Sequence, residues 1–376
     1  MSLLARLKEK NFDRWATDYA RHVVRSAARP RHHGVRHVLF ALCDHYEPLW
    51  TTTDEDLGEA RVRKWVEEYP TGVGTFRDAD GRPPQHSFFF PGEEYRPRFF
   101  DQLDRLVEGG FGEVELHLHH DGATVESMRR DVLDYLAIYA ERGHLSRDPD
   151  GRLRYAFIHG NWCLANSRPD GQHCGVDAEL PLLWDTGCYA DFTFPSVPDV
   201  SQPNRVNQIY WPTGDLSRRR AYESGVEAKV GEKFDDRLLM ITGPLALARR
   251  DGTFRPRLEY GAVTAHDPVT PSRVRSWVDQ GICVAGRPEW IFVKVYTHGA
   301  PDAQGESLLG RGGRMLHQSL AELNDGHRFK LHYVTAREMY NVAMAAMDGC
   351  AGDPHAYRDY LLPPPPIISQ HQGTTS

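Results

Sequence analysis

Residues 112–122 read GEVELHLHHDG, and the alternation of this short stretch constrains the chain more than any other feature. Successive side chains of a strand point to opposite faces. Val114, Leu116 and Leu118 therefore share one face, while Glu113, Glu115, His117 and His119 share the other, with His120 and Asp121 at the exit. One face serves a core, and the other carries titratable groups toward something.

The same pattern recurs along the chain. Apolar runs that end abruptly in polar residues, at VRHVLFALCDHYEP, QHSFFFPGEEY, LRYAFIHGNW, ADFTFPS and EWIFVKVYTHG, alternate with stretches of helical period such as RPRFFDQLDRLVEGG and ATVESMRRDVLDYLAIYAERG, each closed by glycine. FKLHYVTAREMYNVAMAAM supplies a last strand and helix. Repeated strand-then-helix units favour parallel strands in an α/β barrel or a doubly wound sheet, with sites at the strand C-terminal ends. The 376 residues, 40% of them hydrophobic, suffice for one large domain. The expected division is an N-terminal helical segment at 1–34, a barrel domain at 35–362 with an elaborated insertion around 200–260, and a flexible proline-rich and polar tail at 363–376.

Composition narrows the function classes. A net charge of −7 with scattered basic residues gives no electrostatic footprint for nucleic acid. The N-terminus is broken by charges every few residues, so it reads as neither a signal peptide nor a membrane span. It reads as an amphipathic helix that packs Leu4, Leu7, Phe12, Trp15 and Tyr19 on the domain. Six cysteines without a CxxC pair are expected to be reduced thiols in a cytoplasmic protein.

Five strand ends carry polar groups: Asp44, His45 and Glu47; Glu93 and Glu94; His117, His119, His120 and Asp121; His159, Asn161 and Trp162; and Lys294, Tyr296 and His298. One histidine at a strand end is an ordinary structural residue, but five such ends at one face of a sheet point to a site. A divalent transition metal that activates water takes a few nitrogen and oxygen ligands and keeps a position open. His117 and His119 share a strand face and suit joint ligation, with Asp44 or His45 as a third ligand. Alternatively, His117 and Asp121 bind together after the chain turns. Trp162 and Tyr296 are aromatic residues at strand ends, and Lys294 is placed to neutralise a buried carboxylate or meet an anionic group.

The order of an acidic motif ending strand one, a histidine motif ending strand three, an aromatic and arginine segment after strand four and a late histidine resembles the polysaccharide deacetylase family, over roughly residues 35–346. The resemblance implies a distorted (β/α) TIM-like barrel and removal of N- or O-acetyl groups from carbohydrate, with a metal, most often zinc, held by an Asp and two His. It places Asp44 as the base and His45 at the ligand position in ALCDHYEP, where the family has two aspartates. It sets His117 against Asp121 at the spacing of the family's two histidines, with His119 and His120 as extra ligand candidates. In HGNWCLANSRPDG it gives Arg168 as the residue orienting the base and Trp162 as groove lining, and His298 as the general acid. Glu47, Glu94, His159, Asn161, Trp162, Lys294 and Tyr296 complete a substrate-binding set.

Other readings stay open. HxH at His117 and His119 resembles amidohydrolase-type metal barrels, although those carry it on the first strand. Glu93, Glu94 and Asp44 would suit a carboxylate glycosidase on a similar barrel. A non-catalytic carbohydrate-binding protein on a degenerate barrel is a further class. The leading expectation is a metal-dependent carbohydrate deacetylase-like hydrolase with a carbohydrate substrate, no nucleic-acid partner and no stable membrane insertion.

Overall fold

The computed structural model describes residues 8–29 and 32–367. The first strand, β1 (Arg36–His45), is followed by α2 (Glu55–Glu68), β2 (His86–Pro91), α3 (Pro97–Glu108), β3 (Gly112–Leu118), α4 (Val125–Glu141), a short β4 (Ser146–Arg147), β5 (Leu153–His159), α5 (Glu179–Thr186) and β6 (Cys188–Asp191). The remainder comprises β7 (Ile209–Pro212), β8 (Gly225–Glu227), β9 (Leu239–Ile241), β10 (Ala246–Arg249), β11 (Pro256–Glu259), α6 (Pro271–Val278), β12 (Trp290–Thr297), α7 (Asp302–Leu309), α8 (Arg311–Leu323), β13 (Phe329–Tyr333) and α9 (Ala336–Met347). A preceding helix, α1, spans Phe12–Ala28.

The architecture is mixed α/β around an 11-stranded, mostly parallel sheet in the order β12-β1-β2-β3-β5-β6-β9-β7-β8, with β13 also paired to β1 and β4 to β5. Parallel neighbours need a crossover, and α2, α3 and α4 supply the first three. Local chemistry sets the helix starts. Asp54 accepts from the Asp56 and Leu57 amides, and Thr124 and Thr335 form capping boxes with Ser127 and Glu338.

The alternation of β1 to β5 sorts two cores. Val38, Phe40, Leu42, Phe88, Phe90, Val114, Leu116 and Leu118 face the helices and pack with Trp65, Leu103 and Leu136. Leu39, Ala41, Cys43, Phe89, Ile158, Tyr189 and Phe292 face the other way, around Met339, Val342 and Ala343 of α9. Every residue of α9 is buried.

The structure adds detail to the expected layout. The segment around 200–260 is not simply laid over the domain: β7, β8 and β9 belong to the main sheet, and β10 and β11 form a separate hairpin. Strands of three or four residues are too short to show a period. Residues 363–367 are held to the body, the Pro363 carbonyl by Ser146 Oγ and the Ile367 amide by the Gly143 carbonyl; the rest of the tail lies outside the described residues, as do Leu4 and Leu7. Trp15 of α1 packs with Val197, Val206 and Leu245, and so on the middle segment. All six cysteines are free, and among the described residues no helix is long and apolar enough to cross a membrane.

Candidate metal centre

Because β1 alternates, turning Cys43 and His45 inward turns Asp44 outward. Three inward groups then meet at the C-terminal ends of β1 and β3: ligand atoms of His45, Glu47 and His117 all lie within 4.8 Å of one another. All three residues are buried.

Each is set for ligation by its surroundings. The Nδ1–H of His117 donates to the Ile158 carbonyl at 2.7 Å, and its Nε2 lies 3.2 Å from Glu47 Oε1. A ligating histidine usually anchors its other nitrogen in this way. His45 Nε2 and Glu47 Oε2 are buried without a hydrogen-bond partner. Unpaired buried polar atoms are costly, and a cation between them would satisfy both. Burial, then the neighbouring His298 and His117, hold the His45 imidazole well below its ordinary pKa and so neutral. Burial alone would raise the Glu47 carboxyl, but hydrogen bonds from His117 and His119 outweigh it and bring it down to about 2. The set is therefore two imidazoles and a carboxylate, the donor chemistry of a divalent transition metal with a position left open.

Around these ligands stands a ring of further groups. His119 bridges two carboxylates, Nδ1 to Glu93 at 2.6 Å and Nε2 to Glu47 at 3.1 Å. Burial opposes its protonation, but the bonds to Glu47 and Glu93 prevail and raise it to about 10. The His298 ring lies 4.6 Å from that of His45 and 4.6 Å from Trp50. Trp162 and Tyr296 close the inner wall, with ring centroids 5.9 and 6.0 Å from His45. Glu94 accepts from the Leu49 amide at 2.7 Å, and burial lifts its carboxyl to about 7.

The other expected residues lie elsewhere. Asp44 is not at the ligand cluster. Its carboxylate is wholly buried on the helix-facing side, accepting from His86 Nε2 at 2.7 Å and from the Gly299 amide at 2.5 Å. It thereby fixes the turn that carries His298, helped by Trp65 Nε1 on the Gly299 carbonyl. Asp121 is exposed and accepts from the His173 amide, apart from His117. Arg168 pairs with Asp170 and Asp199 in its own loop region. Lys294 is buried and donates to the Phe194 carbonyl at 3.2 Å. Asn161 is exposed, in a left-handed turn with φ 53°, and makes no contact with the three ligands. His159 and His120 meet in a second cluster with Glu179.

Sequence reasoning missed Trp50, His86 and Glu179. His86 was within reach, since β2 pairs with β1 in parallel and its outward residues face Asp44. Trp50 lies beyond the end of β1 and Glu179 begins a helix, so neither belongs to a strand-end pattern. No family model matches the chain, and no curated protein is significantly similar to it.

Proposed function

We propose that the chain is a metal-dependent hydrolase that removes acetyl groups from carbohydrate, with His45, Glu47 and His117 holding one divalent transition metal ion, zinc by donor chemistry. The observation that carries this reading is the buried convergence of two imidazoles and a carboxylate, in which His45 Nε2 and Glu47 Oε2 have no hydrogen-bond partner. A metal held there would supply Lewis acidity toward an acyl oxygen and toward water.

The chain's own residues do the rest. His298, lowered in pKa by burial, is neutral beside the centre and takes a proton from water, then returns it to the departing amine or alcohol. Asp44 acts through the Gly299 amide as a positioning residue for His298. His119, clamped by Glu47 and Glu93, presents positive charge toward the developing negative charge on the acyl oxygen. Trp162, Tyr296 and the half-exposed Trp50 offer ring faces suited to sugar. The carbohydrate class rests on these rings and on the resemblance to polysaccharide deacetylases.

The barrel belongs to the same reading. The Val263 amide reaches the Tyr296 carbonyl at 2.8 Å and the Tyr296 amide reaches Gly261 at 2.9 Å, while Gly243 bonds to Phe194. The first two tie the free edge of β12 to residues 261–263 and the third ties the exits of β9 and β6 together, which supports the reading of a distorted barrel.

One observation favours a second reading. Glu47 and Glu94 are carboxyls pushed apart, to about 2 and about 7, the split a glycosidase uses. Acetate release from N-acetylated hexosamine oligomers and O-acetylated xylan, with metal-loaded and chelator-stripped protein, separates the two. Activity abolished by chelation and by His45→Ala supports the deacetylase. Glycoside cleavage indifferent to chelation would replace it with the carboxylate mechanism.

A further inference from the structure

A second group of ligand atoms converges away from the first. His159 Nε2 lies 3.0 Å from His120 Nε2, and Glu179 Oε1 lies 3.4 Å from His159 Nε2 and 3.9 Å from His120 Nε2. His159 and Glu179 are fully buried, and the His120 side chain is 7% exposed. The group ties the exit of β3 to the exit of β5 and the first residue of α5.

Hydrogen-bond accounting shows what the cluster lacks. His159 Nδ1 faces the Gly160 carbonyl, so its proton sits there and Nε2 is a lone pair. Glu179 Oε2 accepts from the Ala165 amide at 2.6 Å, but Glu179 Oε1 and His120 Nδ1 are buried with no partner. Two acceptors, His159 Nε2 and Glu179 Oε1, thus face one another, with His120 Nε2 at 3.0 and 3.9 Å from them. One proton shared between His120 and His159 meets one of the three contacts and leaves the Glu179 oxygen without a donor. A divalent cation meets all three. Zinc bonds to nitrogen and oxygen near 2.0–2.1 Å imply a tetrahedron edge of about 3.4 Å, and the three separations of 3.0, 3.4 and 3.9 Å lie around it. Two of the three ligands also have outer partners in place: Gly160 fixes the His159 tautomer and Ala165 orients the carboxylate.

We propose that His120, His159 and Glu179 bind a second divalent transition metal ion, distinct from the one assigned to His45, Glu47 and His117. Its role is to fix the segment between β5 and α5. That segment holds Asn161, Trp162, Ala165, Asn166 and His173 at positive φ, backbone that persists only where the surroundings enforce it. It also carries Trp162 against His45 and His298, so the second ion secures a wall of the first site.

The assignment rests on its own cluster and stands whether or not the first site holds metal. The test is zinc stoichiometry of the full-length chain, stripped with chelator, reloaded and measured by mass spectrometry, with cobalt titration as an optical check. Wild type is expected to bind two equivalents, His120→Ala one and a His45→Ala, His117→Ala variant one, each with unchanged circular dichroism. Glu179→Gln, which keeps an acceptor for Ala165, is the second variant should His120→Ala fail to fold, and it too is expected to lose one equivalent. Two equivalents retained in the folded His120→Ala or Glu179→Gln protein would overturn the second site. One equivalent in wild type, lost with His45 and His117, would also overturn it and leave the hydrolase reading intact. One equivalent lost only with His120 or Glu179 would uphold it and remove the first site instead.

Discussion

Replacing Glu115 by glutamine should convert a protein that loses stability toward alkaline pH into one that loses less. Glu115 lies on the inward face of β3, buried, with its oxygens against the Tyr189 hydroxyl and the Ala156 amide. Burial pushes its carboxyl from an ordinary 4.5 to about 8, against the lowering effect of those two hydrogen bonds. Between pH 4.5 and 8 the folded protein therefore keeps a proton that the unfolded chain has released. The folded state binds more protons, so stability falls as pH rises through that window and levels off above it. Each pH unit is worth about 1.4 kcal/mol, and the whole displacement about 5 kcal/mol. Glutamine keeps an acceptor for Ala156 and turns its amide to the Tyr189 oxygen without ionising. Urea unfolding followed by tryptophan fluorescence at intervals from pH 5 to 9, in wild type and Glu115→Gln, isolates the difference, because Asp191 and Lys294 titrate in both. The variant should gain on wild type by about 1.4 kcal/mol per pH unit up to pH 8. A difference that stays flat with pH would refute the assignment of a protonated, buried Glu115.

Three further outcomes follow from the geometry. Asp44→Ala strips partners from buried His86 and Gly299 and should cost about 3–5 kcal/mol by calorimetry or denaturant, while the folded fraction keeps its metal, because the carboxylate is not a ligand. A Cβ on Gly160 would come within 2.3 Å of the His119 ring and 2.8 Å of the Leu118 carbonyl; Gly160→Ala should therefore lower stability by about 1–3 kcal/mol and displace His119 from Glu47, seen as a changed imidazole resonance. Arg168→Ala breaks only partly exposed ion pairs with Asp170 and Asp199, so it should cost less than about 1 kcal/mol and leave acetate release unchanged, whereas an arginine that oriented the base would be indispensable.

The strand that carries the histidines was the most legible part of the chain. Its period of two placed Val114, Leu116 and Leu118 against the helices and Glu113, Glu115, His117 and His119 inward. Going up its inward face, Glu113 pairs with Arg337 of α9, Glu115 bonds to Tyr189, and His117 and His119 reach Glu47. The same rule, applied to β1, would have separated Asp44 from His45, because consecutive strand residues cannot share a face. The resemblance to a motif gave both to one site, whereas the strand turns them to opposite faces. Asp121 and Arg168 were misplaced for a different reason: both lie past the strand ends, where sequence spacing no longer fixes direction. Glu179 was invisible because its partners are 59 and 20 residues away in the sequence and meet it only once α5 packs. The fully buried α9 has no solvent-exposed face, so periodicity showed a helix but not its place against the sheet.

The most direct test of the central claim is anomalous diffraction from crystals of the zinc-loaded protein, recorded on both sides of the zinc absorption edge. The account predicts an edge-dependent peak about 2.1 Å from His45 Nε2, His117 Nε2 and a Glu47 oxygen, lost in His45→Ala crystals. A zinc-saturated crystal with no anomalous density among those three side chains would contradict it.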